Sequence, residues 1–169
     1  MSMQKKVLSE KALYTGNIEM PQGFEIDREQ LKSDILESKL SGDLKFSKSW
    51  DMLKNYVIEN VRLKHNISLV NKETYGIILK PEEKSDSFIN ANLMDLKNSC
   101  DFVMIYGVSI FKNSCKTIIS YDNNRIKNNC HGISLNNNSF IMFPSTEMYR
   151  IMNDSSNYSY LLVINYQSL

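Results

Sequence analysis

Two histidines, three cysteines, six glycines and three prolines are all the chain provides of those types in 169 residues. So few glycines, none of them in a glycine-rich run, exclude a phosphate-cradling loop. The cysteines, Cys100, Cys115 and Cys130, are odd in number and form no C-x-x-C pair. That argues against a disulfide framework and against a zinc site shared with His131, and leaves three reduced thiols. No apolar run approaches the ~18 residues of a membrane-spanning helix, and mean hydropathy is −0.35. The stretch "VLSEKALY" near the start is too polar for a signal-peptide core, so the chain is expected inside a cell. Net charge is +1 with no basic stripe, which leaves no electrostatic footprint for nucleic acid.

The charge that is present is uneven. Residues 1–97 hold 30 of the 39 acidic and basic side chains, whereas residues 98–169 hold nine of them and 12 of the 19 asparagines. Lys45, Lys48, Lys54, Arg62 and Lys64 alternate with Asp43, Asp51 and Glu59, the pattern of a solvated helix face. Asp27 with Gln30 three residues later resembles a capping box ahead of Leu31, Ile35, Leu36 and Leu40, and Gly42 stands where a terminator belongs. Trp50, Leu53, Val57 and Val61 form a second helical stripe, predicted to lie on a sheet.

From Ile67 the period changes to that of strands. Nine segments are enriched in β-branched and aromatic residues: "ISLV", "TYGIILK", "SFINANL", "DFVMIYGVSIF", "CKTIISY", "CHGISL", "SFIMF", "MYRIMN" and "YSYLLVINY". In the last of them both alternating faces are apolar, so both are expected to be covered. "DNNRIKNN" and "NNN" read as turns, because asparagine tolerates the left-handed backbone. The expected organisation is one domain. It has an extended arm over 1–18, a helical part over 19–66 and a β-sandwich over 67–169. The class is α+β, mainly β, a jelly roll with two N-terminal helices packed on one sheet.

Helices followed by a strand series ending in "FIMFPS…YRI…YLLVINY" resemble the double-stranded β-helix of the 2-oxoglutarate/iron(II) oxygenases, most closely the prolyl-hydroxylase-like members of tailed phages. The resemblance is specific over residues 140–166. In that family a strand ending in Phe-Pro-Ser is followed by the distal iron-binding histidine and often an arginine, which places Tyr149 and Arg150 at those positions. The family's centre takes two histidines and one carboxylate, the first two ligands arriving as His-x-Asp/Glu. Here His65 is followed by Asn66 and Ile67, and His131 by Gly132 and Ile133. The basic residue that would pair with the cosubstrate carboxylate has no counterpart in residues 158–166.

These absences point away from catalysis, with no catalytic residue, metal or cofactor assigned. Ser145 lies in "FPSTE", which is no nucleophile elbow, and Glu82-Glu83 reads as solvated loop charge. The expectation is a non-catalytic phage accessory or structural protein working through protein contacts, with a protein partner or a second copy. It would act in the cytoplasm of an infected cell or in the virion. Tyr149, Arg150 and His131 form the candidate pocket, and Asp122, Asn123, Asn124, Arg125 and Lys127 the candidate contact loop. The alternatives are a divergent oxygenase, which would use iron(II) and 2-oxoglutarate, and a carbohydrate-binding sandwich.

Overall fold

A computed structural model describes residues 11–43, 47–84, 100–124 and 127–169. Strand β1 (Tyr14–Asn17) is followed by helices α1 (Arg28–Ser41) and α2 (Lys48–His65). Seven further strands follow: β2 (Leu69–Leu79), β3 (Phe102–Ser109), β4 (Cys115–Asn124), β5 (Lys127–Leu135), β6 (Ser139–Pro144), β7 (Met148–Asn153) and β8 (Ser159–Ser168). They form a five-stranded sheet, β1-β6-β3-β8-β2, and a three-stranded sheet, β5-β4-β7, with antiparallel neighbours throughout.

Alternation along the central strands divides the core in two. Met104, Tyr106, Leu162, Ile164 and Tyr166 face the helices, where they meet Leu31, Ile35, Trp50, Leu53 and Val57. Val103, Ile105, Leu161 and Val163 face the smaller sheet and pack on Cys115, Ile119, Tyr149 and Ile151. The larger sheet is therefore covered on both faces, as the doubly apolar β8 requires.

The helix ends follow their sequence signals with one change. Asp27 Oδ1 accepts from Gln30 N at 2.9 Å, and Gly42 closes α1 at φ 77°. The reciprocal half of the capping box is not made. Asp27 N donates to Ser49 Oγ at 2.9 Å, tying the start of α1 to α2, and Gln30 Nε2 turns to Asp34. In α1 only Leu31 and Ile35 of the predicted stripe are buried, while Leu40 is 87% exposed. Helix α1 can seat this closely on β2 because Gly76 has no Cβ: one placed there would lie 2.6 Å from Ile35.

Three strand expectations are revised. "ISLV" and "TYGIILK" are one strand, β2, with a register shift between Asn71 and Glu73. Part of the 1–18 arm is a strand, since β1 pairs along β6 from Tyr14↔Met142 to Asn17↔Ser139. The turn read over 122–129 is largely ladder: β4 runs to Asn124 and β5 starts at Lys127, paired with it. Backbone pairing with a neighbouring strand overrides the turn preference of asparagine here. Arg125 of that candidate loop and the "SFINANL" segment lie outside the described residues.

Candidate functional site at the mouth of the sandwich

Strand β7 organises the two ends of the sandwich. At its finish, Asn153 is fully buried; its Nδ2 donates to Lys80 O at 2.8 Å and Asn157 O at 2.7 Å. Its Oδ1 accepts from the Ser155 and Ser159 hydroxyls at 3.0 and 3.1 Å. A buried amide with both ends engaged in this way is a structural clamp.

The start of β7 is different. His131, Ile119 and Tyr149 form one row across the smaller sheet, through the pairings Ile119↔His131 and Ile119↔Tyr149, so their side chains share a face. Opposite them stands Phe143, whose ring meets that of Tyr149 edge-on at 5.2 Å. Above Ile119 and Phe143 a cavity of about 230 Å³ opens, rimmed by Tyr121 and His131 and closed by Lys11, Leu13 and Glu147. Glu147 is 5% exposed; its Oε1 meets Lys11 Nζ at 2.5 Å and Thr146 Oγ1 at 3.1 Å.

Beneath this cavity Tyr149 is 1% exposed and forms none of its lining. Burial raises the pKa of its phenol, with Tyr75 beside it adding to the shift, and burial likewise raises that of Tyr75. Burial also pushes the Cys100 thiol up. Ser145 Oγ donates to the Cys100 carbonyl, which ties the end of β6 to the start of β3. The region under the cavity is thus a neutral, hydrogen-bonded floor.

Of the three residues predicted to form a pocket, His131 alone lines the cavity. Tyr149 is its buried support. Arg150 lies on the opposite face, next in the strand to Tyr149 and paired with Ile118, because adjacent residues of a strand point opposite ways. Glu147 and Lys11 went unnoticed in the sequence, and the one signal for Glu147 was its position inside "FPSTEMY". All three cysteines are free, Cys130 exposed and the other two buried.

No protein-family model and no curated protein sequence matches the chain. Solved structures do match. A Pseudomonas putida prolyl-4-hydroxylase superposes at TM-score 0.66 with 8% identity, over 93% of this chain and 88% of that one. The viral collagen prolyl hydroxylase of Paramecium Bursaria Chlorella virus-1, in its 2-oxoglutarate complex, gives 0.64 and 10%, over 93% and 96%. AviO1 from Streptomyces viridochromogenes Tue57 gives 0.63 and 8%, over 93% and 90%. The fold is the double-stranded β-helix of the oxygenases.

That finding corrects the expectation of a non-catalytic accessory module, because the structures that share this double-stranded β-helix almost end to end include prolyl hydroxylases. The expectation leaned on missing motifs, which bear on the iron centre and not on the fold. No described helix is long and apolar enough to cross a membrane.

The donor set does not fit the two-histidine, one-carboxylate iron centre that this double-stranded β-helix implies. The chain has two histidines, and both are described. His65 ends α2 on the helix-covered side, its ring 4.7 Å from that of Tyr14. His131 stands at the mouth on the far side of the larger sheet. Among the described residues no group of three histidines, cysteines or carboxylates is placed to hold a metal ion. Tyr149, which the sequence resemblance sets at the distal-histidine position, is buried with a raised pKa and would have to lose its proton to ligate, which its surroundings oppose.

Proposed function

We propose that the chain is a divergent oxygenase of the 2-oxoglutarate/iron(II) hydroxylase type, working at the mouth of its sandwich. The observation that carries this reading is the fold match to prolyl hydroxylases over 93% of the chain. The mouth cavity supports it as well, since it opens beside the position that corresponds to the family's distal histidine. A peptide is the substrate class suggested by the names of two of the neighbours, a prolyl-4-hydroxylase and a collagen prolyl hydroxylase. The weakly charged, asparagine-rich second half and the viral source of one neighbour favour a phage origin.

The chain's own residues supply the mouth rather than a metal triad. Glu147 provides a fixed negative charge, Phe143 and Ile119 provide a dry floor, and His131 is an imidazole at the rim within the same cavity. Such a site can bind and orient a ligand and shield it from water.

The decisive experiment is anaerobic titration with iron(II), followed by measurement of succinate formed from 2-oxoglutarate in air. The reading requires iron-dependent succinate formation through donors other than the two-histidine, one-carboxylate set, which the described residues do not supply. A folded protein that neither binds iron(II) nor consumes 2-oxoglutarate overturns the reading.

A further inference from the structure

Glu147 is a carboxylate held almost wholly out of water at the end of an apolar cavity. Such burial is costly unless a cation or several hydrogen bonds compensate it. Thr146 supplies one hydrogen bond from the neighbouring position, and the cation is Lys11. Lys11 reaches Glu147 from the segment just before β1, at the other end of the chain, and its side chain is 53% exposed. Among the described residues nothing else engages Glu147 through its side chain, and both contacts fall on the same oxygen, Oε1.

The wall of the cavity thus already pairs Glu147 with an ammonium group on an aliphatic stem, that of Lys11. Ile119, Phe143 and Pro144 suit the methylenes of such a stem, and the aromatic Tyr121 stands at the rim. Only Lys11 of the pair is exposed, and its displacement leaves no uncompensated buried charge when another ammonium takes its place on Glu147.

A second feature says that the ammonium arrives on a peptide. From Leu13 and His131 a groove of about 520 Å³ continues past Gly132 and Gly16 to Phe140. It runs between β1 and β5, which are edge strands of their respective sheets. A Cβ added at Gly132 would meet nothing within 4 Å. A groove between two strand edges accepts an extended main chain, with pockets taking alternate side chains.

We propose that the mouth cavity recognises a lysine side chain of an extended peptide substrate, with Glu147 as counter-ion, and that Lys11 is the internal occupant this lysine displaces. The proposal rests on the oxygenase reading only in calling the peptide a substrate; the binding itself needs neither metal nor turnover.

The test is calorimetric titration, in the absence of metal and 2-oxoglutarate, with a six-residue Ala/Ser peptide bearing one central lysine, and with its norleucine counterpart. Lys11→Ala removes the internal competitor and is expected to bind the lysine peptide roughly tenfold more tightly than the native protein does. The norleucine peptide is expected to bind Lys11→Ala at least about tenfold more weakly than the lysine peptide, because the charge-assisted hydrogen bond is gone. Glu147→Gln in the Lys11→Ala background should erase that difference. Lysine and norleucine peptides that bind Lys11→Ala equally, or no binding of the lysine peptide, overturn the proposal. Should the Glu147→Gln protein not fold, the two peptides on Lys11→Ala decide alone. Failure here leaves the oxygenase reading standing, and failure to form succinate leaves the pocket standing.

Discussion

Six residues of β7 separate two ends of the sandwich that solve the same problem in opposite ways. At Asn153 every polar atom of a fully buried amide is matched within the protein, by the Lys80 and Asn157 carbonyls and by Ser155 and Ser159. At Glu147, one residue before β7 begins, a carboxylate just as buried relies on a lysine brought from the far end of the chain, beside an open cavity. A closed network specifies structure, whereas a polar group satisfied by a removable partner leaves room for a ligand. The contrast locates the site without reference to any motif.

The sharpest way to break the comparison is Asn153→Ala. It removes an amide hydrogen-bonded to two carbonyls and two hydroxyls and leaves the buried Ser159 hydroxyl without that partner, while Ser155 and Asn157 keep a bond to each other. The expected loss is about 2–4 kcal/mol, read as a fall in the urea midpoint. A loss below about 1 kcal/mol would mean that the clamp is not one.

Alkaline pH probes the buried groups of both core layers next. Folded Tyr106 is pushed up to about 12 and Cys115 to about 12, both by burial, against ordinary values of 10.0 and 9.0. Between those values the unfolded chain has released protons that the folded chain still holds. Stability therefore falls as pH rises, by roughly 1.4 kcal/mol per pH unit for each group in its window. The contribution is complete below about pH 9 and is lost progressively towards pH 12. Thermal unfolding from pH 7 to 11 should show a flat Tm followed by a decline. The tyrosinate absorbance of the buried tyrosines should rise only on unfolding.

Tyr149→Phe isolates the floor of the mouth. It keeps the ring against Phe143 and removes one hydroxyl partnered with Tyr75, for an expected cost of about 1 kcal/mol. Chemical denaturation measures it, and a gain in stability would show that the hydroxyl is retained for something other than structure. No larger is the effect of Lys11→Ala, about 1 kcal/mol: Glu147 is buried, but Lys11 is half-exposed and the cavity beside the pair lets water take over part of the lysine's role. A larger loss by the same measurement would make the Lys11 contact a structural strut and erase the difference between the two ends.

The helices were legible in the sequence because their signals are local. Asp27, Gln30 and Gly42 act within four residues of themselves, and Trp50, Leu53, Val57 and Val61 share one face by period alone. The doubly covered β8 was legible for the same reason: Tyr160, Leu162, Ile164 and Tyr166 alternate with Leu161 and Val163, so both faces carry apolar residues. The mouth was not, because it is assembled over distance. Lys11 and Glu147 stand 136 positions apart, and His131 meets Tyr149 only through the intervening Ile119. The strand character of Asp122–Asn124 was hidden similarly, since the partner ladder and not the residues themselves dictates it. The missing iron ligands were legible and so was the likeness to the oxygenase fold, but the conclusion drawn about function was not warranted by their absence.

The place of β8 in the larger sheet bears on how the protein comes into being. It lies between β3 and β2, strands made some fifty and eighty positions earlier, and, like β3, it carries six consecutive buried residues, Leu161 to Tyr166. Until it has left the ribosome, β2 lacks its one neighbour among the described strands and β3 has a bare edge. The helices then have only part of a sheet to rest on. Folding of the sandwich accordingly waits for β8 and is slow, because its decisive pairings are distant in sequence. The unfinished chain is the form most in need of a chaperone.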